Sequence, residues 1–170
     1  MSYTAFVDID RNKEELKEEL DSIEFQLFRM QENVKEIAKK SEIISIDRTK
    51  EENWAVIYVD KKSTTFQIML HECTKPFRGN WDSAIEVEYK NERTIHICDI
   101  KGEENKGFGS VLINQLKEIA REENKQFITG DIVQRDFDHV HRLKHFYCKH
   151  YFNVNIDHSQ QSGEIIWTDS

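Results

Sequence analysis

The spacing of apolar positions along the chain changes several times, and each change marks an element. Tyr3 to Ile9 reads as a short first strand. From about Arg11 to Lys40 the spacing is helical. Leu16, Leu20, Ile23, Leu27, Met30, Val34 and Ile37 alternate steps of four and three, a heptad seam that Phe25 and Phe28 widen. An isolated seam of this length is marginal. The expectation is therefore an amphipathic helix lying on the chain's own sheet, with pairing to a second subunit as the alternative.

From Glu42 onward the period falls to two. Trp54 to Val59 and Thr65 to Leu70 are expected strands joined by the polar run Asp60 to Ser63, and Ala84 to Tyr89 and Thr94 to Ile100 form a second pair joined by Lys90 to Arg93. The middle of the chain thus predicts a four-stranded antiparallel meander. After Gly102 a helical face returns with Val111, Leu112, Leu116, Ile119 and Ala120 and runs through Glu123. Phe127 to Val133 predicts a strand, and His139 to His150 a helix with Val140, Leu143, Phe146 and Tyr147 on its apolar side. Phe152 to Ile156 and Glu164 to Thr168 predict two closing strands. This order predicts an α+β fold with a mixed, mostly antiparallel sheet flanked by helices. It fits one domain over residues 1–170, with the strand and long helix in 1–41 and the core sheet in 42–170.

Composition narrows the function classes. The net charge of -8 leaves no basic footprint for nucleic acid and tolerates a cationic partner. Three cysteines with no pairing pattern suggest free thiols in a reducing compartment. The first ten residues lack a basic stretch followed by an apolar core, and no apolar run approaches membrane-spanning length, so a soluble, cytoplasmic protein is expected. His141, His145 and Cys148 share one helix face at a spacing that can hold zinc. That face lies largely opposite Val140, Leu143 and Tyr147, so it reads as solvated, and no metal is expected.

The segment from Ile97 to Ser110 carries the chemistry. An expected strand leads into a polar loop with Gly107 and Gly109, and the loop opens a helix. First-turn amides of a helix lack intrahelical acceptors, the dipole is positive there, and glycines let a ligand approach the backbone. The loop suits phosphate groups. It is neither a Walker loop, which needs Gly-Lys-Ser/Thr, nor the dinucleotide fingerprint, which needs a third glycine in a parallel βαβ unit.

Glu104-Asn-Lys-Gly107-Phe-Gly109 resembles the pyrophosphate loop of the GNAT N-acetyltransferases, Gln/Arg-x-x-Gly-x-Gly/Ala, which lies between a strand and a helix. Both glycines match, and Glu104 replaces Gln or Arg. A carboxylate there is unfavourable to a pyrophosphate unless Lys106 offsets it or it turns outward. Downstream, Arg142 to Phe152 is similar to the family's Leu-x-x-Phe-Tyr-x-Lys-x-Gly-Phe helix end, with Tyr147 on the family's tyrosine and Tyr151 in place of its glycine. An asparagine common before that tyrosine is missing.

The resemblance covers about residues 54 to 168. It implies acetyl-CoA as co-substrate, held by Ile100, Glu104, Asn105, Lys106, Gly107, Phe108, Gly109 and Ser110, and an amine of a small molecule or peptide as acceptor. It also implies a backbone amide at or near Ile100 as oxyanion donor and Tyr147 as the acid that protonates the leaving thiolate. Strict alternation places Asp99 on one strand face with Ile95 and Ile97, which makes it a candidate base, with Glu88 and Glu72 as others. The alternative is an inactive GNAT-like module that assembles through its N-terminal helix, for instance as a homodimer.

Overall fold

The computed structural model describes residues 13–170, so the expected strand at Tyr3 to Ile9 lies outside the described residues. In chain order the elements are α1 (Lys13–Ala38), β1 (Glu42–Arg48), β2 (Trp54–Lys61), β3 (Thr65–Glu72), β4 (Ser83–Asn91), β5 (Thr94–Gly102), α2 (Phe108–Glu122), β6 (Phe127–Ile132), a 3-10 segment (Gln134–His139), α3 (Val140–Lys149), β7 (Asn153–Asp157) and β8 (Ser162–Thr168). The strands form one eight-stranded sheet in the order β1-β2-β3-β4-β5-β6-β8-β7. Every neighbouring pair is antiparallel except β5 and β6, which run parallel with α2 as their crossover. The fold is α+β, as the alternation of periods predicts.

The meander has one strand more than expected. Glu42–Arg48 pairs antiparallel with β2 at the sheet edge. A register shift between Ile43 and Ser45 breaks the alternation that would have marked it.

Each face of the sheet has its own apolar cluster. On one face α2 buries Phe108, Leu112, Ile113, Leu116 and Ala120 against Ile57, Ile68, Ile85, Val87, Ile95, Ile97 and Ile128, and α3 adds Val140 and Tyr147. The other face carries a smaller cluster around Ile37, Val56, Tyr58 and Met69, packed by Met30 and Val34. There α1 lies mainly on β1 and β2.

The heptad seam of α1 is therefore divided. Its last third is buried, with Ile37 at 1% exposure, and Asn33 ties it down by donating to the Lys75 carbonyl at 3.0 Å and accepting from the Phe77 amide at 2.8 Å. Its first two thirds, with Leu16, Leu20, Ile23, Leu27 and Phe28, are exposed. The expectation that the helix lies on its own sheet holds only from Met30 onward. Heptad spacing fixes which side of a helix is apolar, not what covers it. Among the described residues, no helix is long and apolar enough to cross a membrane.

Candidate functional site: a cationic cleft ending where two parallel strands separate

The end of β5, the following loop and the start of α2 form one wall of a cleft, and α3 forms the other. The cleft has a volume of about 470 Å³. Its lining takes in Ile100, Glu104, Asn105, Gly107, Phe108, Gly109, Ser110 and Tyr147, all of them but Tyr147 expected to hold the donor. Gly107 caps α2 at φ 75, a left-handed conformation that favours glycine, and no side chain caps the helix. The first-turn amides of α2 are thus left to a ligand. A Cβ at Gly107 would sit 3.0 Å from the Lys50 Cβ, and one at Gly109 would sit 3.2 Å from the Phe146 ring. The absent side chain at Gly109 is what lets α3 close against the loop.

The charge of the cleft is opposite to that of the whole molecule. Lys50, Lys101, Arg142 and Lys149 line it against the carboxylates Glu103 and Glu104. Glu104 is itself engaged, accepting two hydrogen bonds from the Arg142 guanidinium at 3.0 and 3.1 Å across the mouth of the cleft. Arg142, not Lys106, is therefore the group that offsets this carboxylate. Lys106 pairs with Glu51 at 3.4 Å and is the one expected donor-binding residue outside the cleft lining.

The cleft leads to a gap in the sheet. The parallel ladder of β5 and β6 runs from Thr94 opposite Phe127 to Ile97 opposite Gly130 and ends there, although β5 continues to Gly102 and β6 to Ile132. Beyond Ile97, the edge of β5 that faces β6 has no ladder partner, and its backbone groups are open to a ligand. A second cavity of about 260 Å³ fills the gap, and Ile100 and Tyr147 line both cavities. Burial pushes the Tyr147 phenol well above its ordinary pKa, and Asp136 and Asp99 add to the effect. The side chain is held between Phe146 and Phe152, at ring-centroid distances of 5.1 and 5.3 Å.

The position of Asp99 differs from expectation. Asp99 pairs with Glu86 and Ile97 with Val87, so Cys98 is an extra residue on β5, a bulge. After the bulge Ile100 rejoins Ile95 and Ile97 on the face covered by α2, and Asp99 faces the other way, beside Lys101 at 3.4 Å. Strict alternation from Ile95 fails at Cys98. Asp99 lines the gap but not the cleft. Of the other candidate bases, Glu88 stands opposite His96 in the ladder, on the Asp99 side of the sheet. Glu72 accepts from the Thr49 hydroxyl at 2.9 Å at the far end of β3 and lines neither cavity.

Two features of the site escape a reading of the sequence. His150 ends α3 and joins its ring Nε2 to the Ser110 Oγ of α2 at 2.8 Å, clamping the two walls of the cleft. Burial, then the cations of Lys117 and Lys149, lower its pKa to about 4. Lys117, buried beneath the rings of Tyr151, Phe152 and Trp167, donates to the His150 carbonyl. His96 is the second. Its Nδ1 lies 2.8 Å from the Thr129 Oγ1 and its Nε2 3.3 Å from the Asp131 Oδ2, at the gap. Both contacts require the β5–β6 register, which no local spacing encodes.

No family model matches the chain. Over 160 residues it is 46% identical to the uncharacterized protein YocC of Bacillus subtilis, covering 94% of this chain and 96% of that one. Among solved structures, the GNAT domain of S. lividans PAT superposes with a TM-score of 0.58 at 5% identity, over 78% of this chain and 98% of that one. A mutant of the cAMP-binding acyltransferase from Mycobacterium smegmatis superposes with a TM-score of 0.55 at 10% identity, over 79% of this chain and 50% of that longer one. The chain belongs to the family of YocC, and its fold is that of the GNAT acetyltransferases.

Proposed function

We propose that the protein transfers an acetyl group from acetyl-CoA to an amine of a small molecule or peptide. The observation that carries this reading is the cationic cleft. In a chain of net charge -8, Lys50, Lys101, Arg142 and Lys149 gather around the uncapped start of α2, and the cleft runs from there to the gap beside Tyr147. An elongated ligand with phosphates at one end and a reactive group at the other matches that layout. The α2 amides and the surrounding cations would hold the phosphates. The unpaired edge of β5 near Ile100 would donate to the developing oxyanion, and Tyr147, kept protonated by burial, would give its proton to the departing sulfur.

Calorimetric titration with acetyl-CoA, and with CoA for comparison, tests the donor site. Micromolar binding is expected. Gly107→Trp should abolish it, because the new side chain meets Lys50 and fills the approach to the α2 amides. No binding at millimolar ligand, or full affinity in Gly107→Trp, would remove the donor site from this cleft.

The bare part of α1 favours a second role beside the first. It would pair with the same segment of a second copy of the chain, antiparallel. With Leu20 and Leu27 at a and Leu16 and Ile23 at d, antiparallel packing sets Lys17 of one copy against Glu24 of the other, twice. Parallel packing would instead set Glu19 against Glu24. The charge pattern favours the antiparallel arrangement.

A further inference from the structure

The half of the sheet that α1 leaves uncovered is polar, and the gap opens onto it. There β4 presents Glu86 and Glu88, β5 presents His96 and Asp99, and β6 presents Thr129 and Asp131. The donor cleft and Tyr147 lie on the opposite face, with α2 and α3. The gap cavity, lined by His96 and Asp131 on one side and Tyr147 on the other, joins the two faces. Burial first, and then the carboxylates Glu88, Glu86 and Asp99 around this opening, push the Cys98 thiol above its ordinary pKa.

Among the described residues, His96 is the one deeply buried titratable group on this side of the gap, at 7% exposure, whereas Asp131 is 67% exposed on its side chain. The Thr129 hydroxyl, 2.8 Å from Nδ1, can accept or donate, whereas the Nε2–Asp131 contact at 3.3 Å lacks hydrogen-bond geometry, and this favours the ring proton on Nδ1. Nε2 then keeps its lone pair and turns it toward the end of the β5–β6 ladder. The Asp131 carboxylate, a second acceptor, stands 3.3 Å away there. Two acceptors so placed leave room for a donor between them. A protonated primary amine supplies it, with one N–H to Asp131 and one to His96.

We propose that His96 is the catalytic base, that Asp131 holds the acceptor as an ammonium ion beside it, and that the acceptor enters from the acidic face, opposite the donor. This rests on the acetyl-transfer reading and extends it to the acceptor half of the site. His96 Nε2 takes one ammonium proton. The freed nitrogen lone pair forms the C–N bond to the acetyl carbon, and the C–S bond breaks with its electron pair going to sulfur. Sulfur takes the Tyr147 proton, and the phenol is reprotonated from solvent. The second proton of the new amide nitrogen and the proton on His96 leave to solvent, so one proton is released per turnover. The negative rim of Glu86, Glu88 and Asp99 raises the local concentration of cationic acceptors.

The test uses the full-length protein, acetyl-CoA, and a panel of spermidine, tyramine, benzylamine and a lysine-containing peptide, with free thiol release as the readout. For the best amine of the panel, His96→Gln should lower kcat about 100-fold with KM nearly kept. Asp131→Asn should raise KM about tenfold with kcat nearly kept. Acetyl-CoA affinity should be unchanged in both. Independently of turnover, nitrogen NMR of the histidines at pH 7.5 should find His96, assigned by its loss in His96→Gln, as the Nδ1–H tautomer. The Nε2–H tautomer, committed to Asp131, or undiminished kcat in His96→Gln, would overturn this inference while leaving acetyl transfer intact. Absence of turnover by the wild-type protein with every amine, despite bound acetyl-CoA, would overturn the transfer reading and this inference with it.

Discussion

At the scale of single residues, the unusual position in the loop proposed to hold the phosphates is Glu104. A carboxylate beside a bound pyrophosphate is repulsive, yet Glu104 is held by the two terminal guanidinium nitrogens, Nη1 and Nη2, of Arg142 on the opposite wall. Both side chains are more than half exposed, so the pair contributes little to stability. Its consequence lies in binding. A phosphate entering the cleft competes with Glu104 for Arg142, and planar two-point contact makes Arg142 the better partner for either. Glu104→Gln removes the competitor and should tighten acetyl-CoA about three- to tenfold, or about 1 kcal/mol. Arg142→Ala should weaken binding by a similar factor and cancel the gain of Glu104→Gln in the double variant, measured by calorimetry as a double-mutant cycle. Equal gains from Glu104→Gln with and without Arg142 would show that the carboxylate acts directly on the ligand instead.

At the scale of elements, α1 behaves as two helices in one. Leu20 and Leu27 are 55% and 41% exposed, so Leu20→Asp with Leu27→Asp should leave the fold and its melting temperature nearly unchanged and abolish the proposed dimer in sedimentation. Ile37→Ala opens a cavity beside Val56 and Tyr58 and should cost about 2–4 kcal/mol without altering assembly. Unfolding of the double Asp variant would mean that the seam is covered within one chain. The same division explains how much was legible in advance. Periods of 3.5 and 2 located α1, the hairpins, α2 and the loop between β5 and α2, because each is written in neighbouring residues. Three things were not. The edge strand β1 and the face of Asp99 were hidden by single extra residues in the ladders, at Ile44 and Cys98. The gap between β5 and β6 depends on where a parallel ladder stops. Thr94 to Ile97 and Phe127 to Gly130 carry no mark of that in their own spacing. His96, Thr129 and Asp131 became a group only once that register was known.

At the scale of the molecule, the two walls of the cleft are joined by a group that is stable only when neutral. His150 links the end of α3 to Ser110 at the start of α2, and Lys117 beneath it opposes any charge on the ring. Its pKa is lowered from 6.5 to about 4 in the folded chain, so the unfolded chain binds more protons between those values. The sign follows. Stability from His150 is fully present above pH 6.5 and is lost as pH falls toward 4. Between pH 7 and pH 5 the loss is of the order of 2 kcal/mol from this ring alone. His71, buried beside Lys75 and Asp82, is lowered as well and adds in the same direction. Urea unfolding at the two pH values measures the sum. His150→Gln should remove most of the difference, since an amide can meet Ser110 without titrating. The clamp spans the cleft, so its loss should be felt first as a local opening there. Acetyl-CoA affinity in the wild type should fall between pH 7 and pH 5 more steeply than in His150→Gln. Parallel curves for the two proteins would separate the clamp from the binding site and leave His150 as a purely structural contact between α2 and α3.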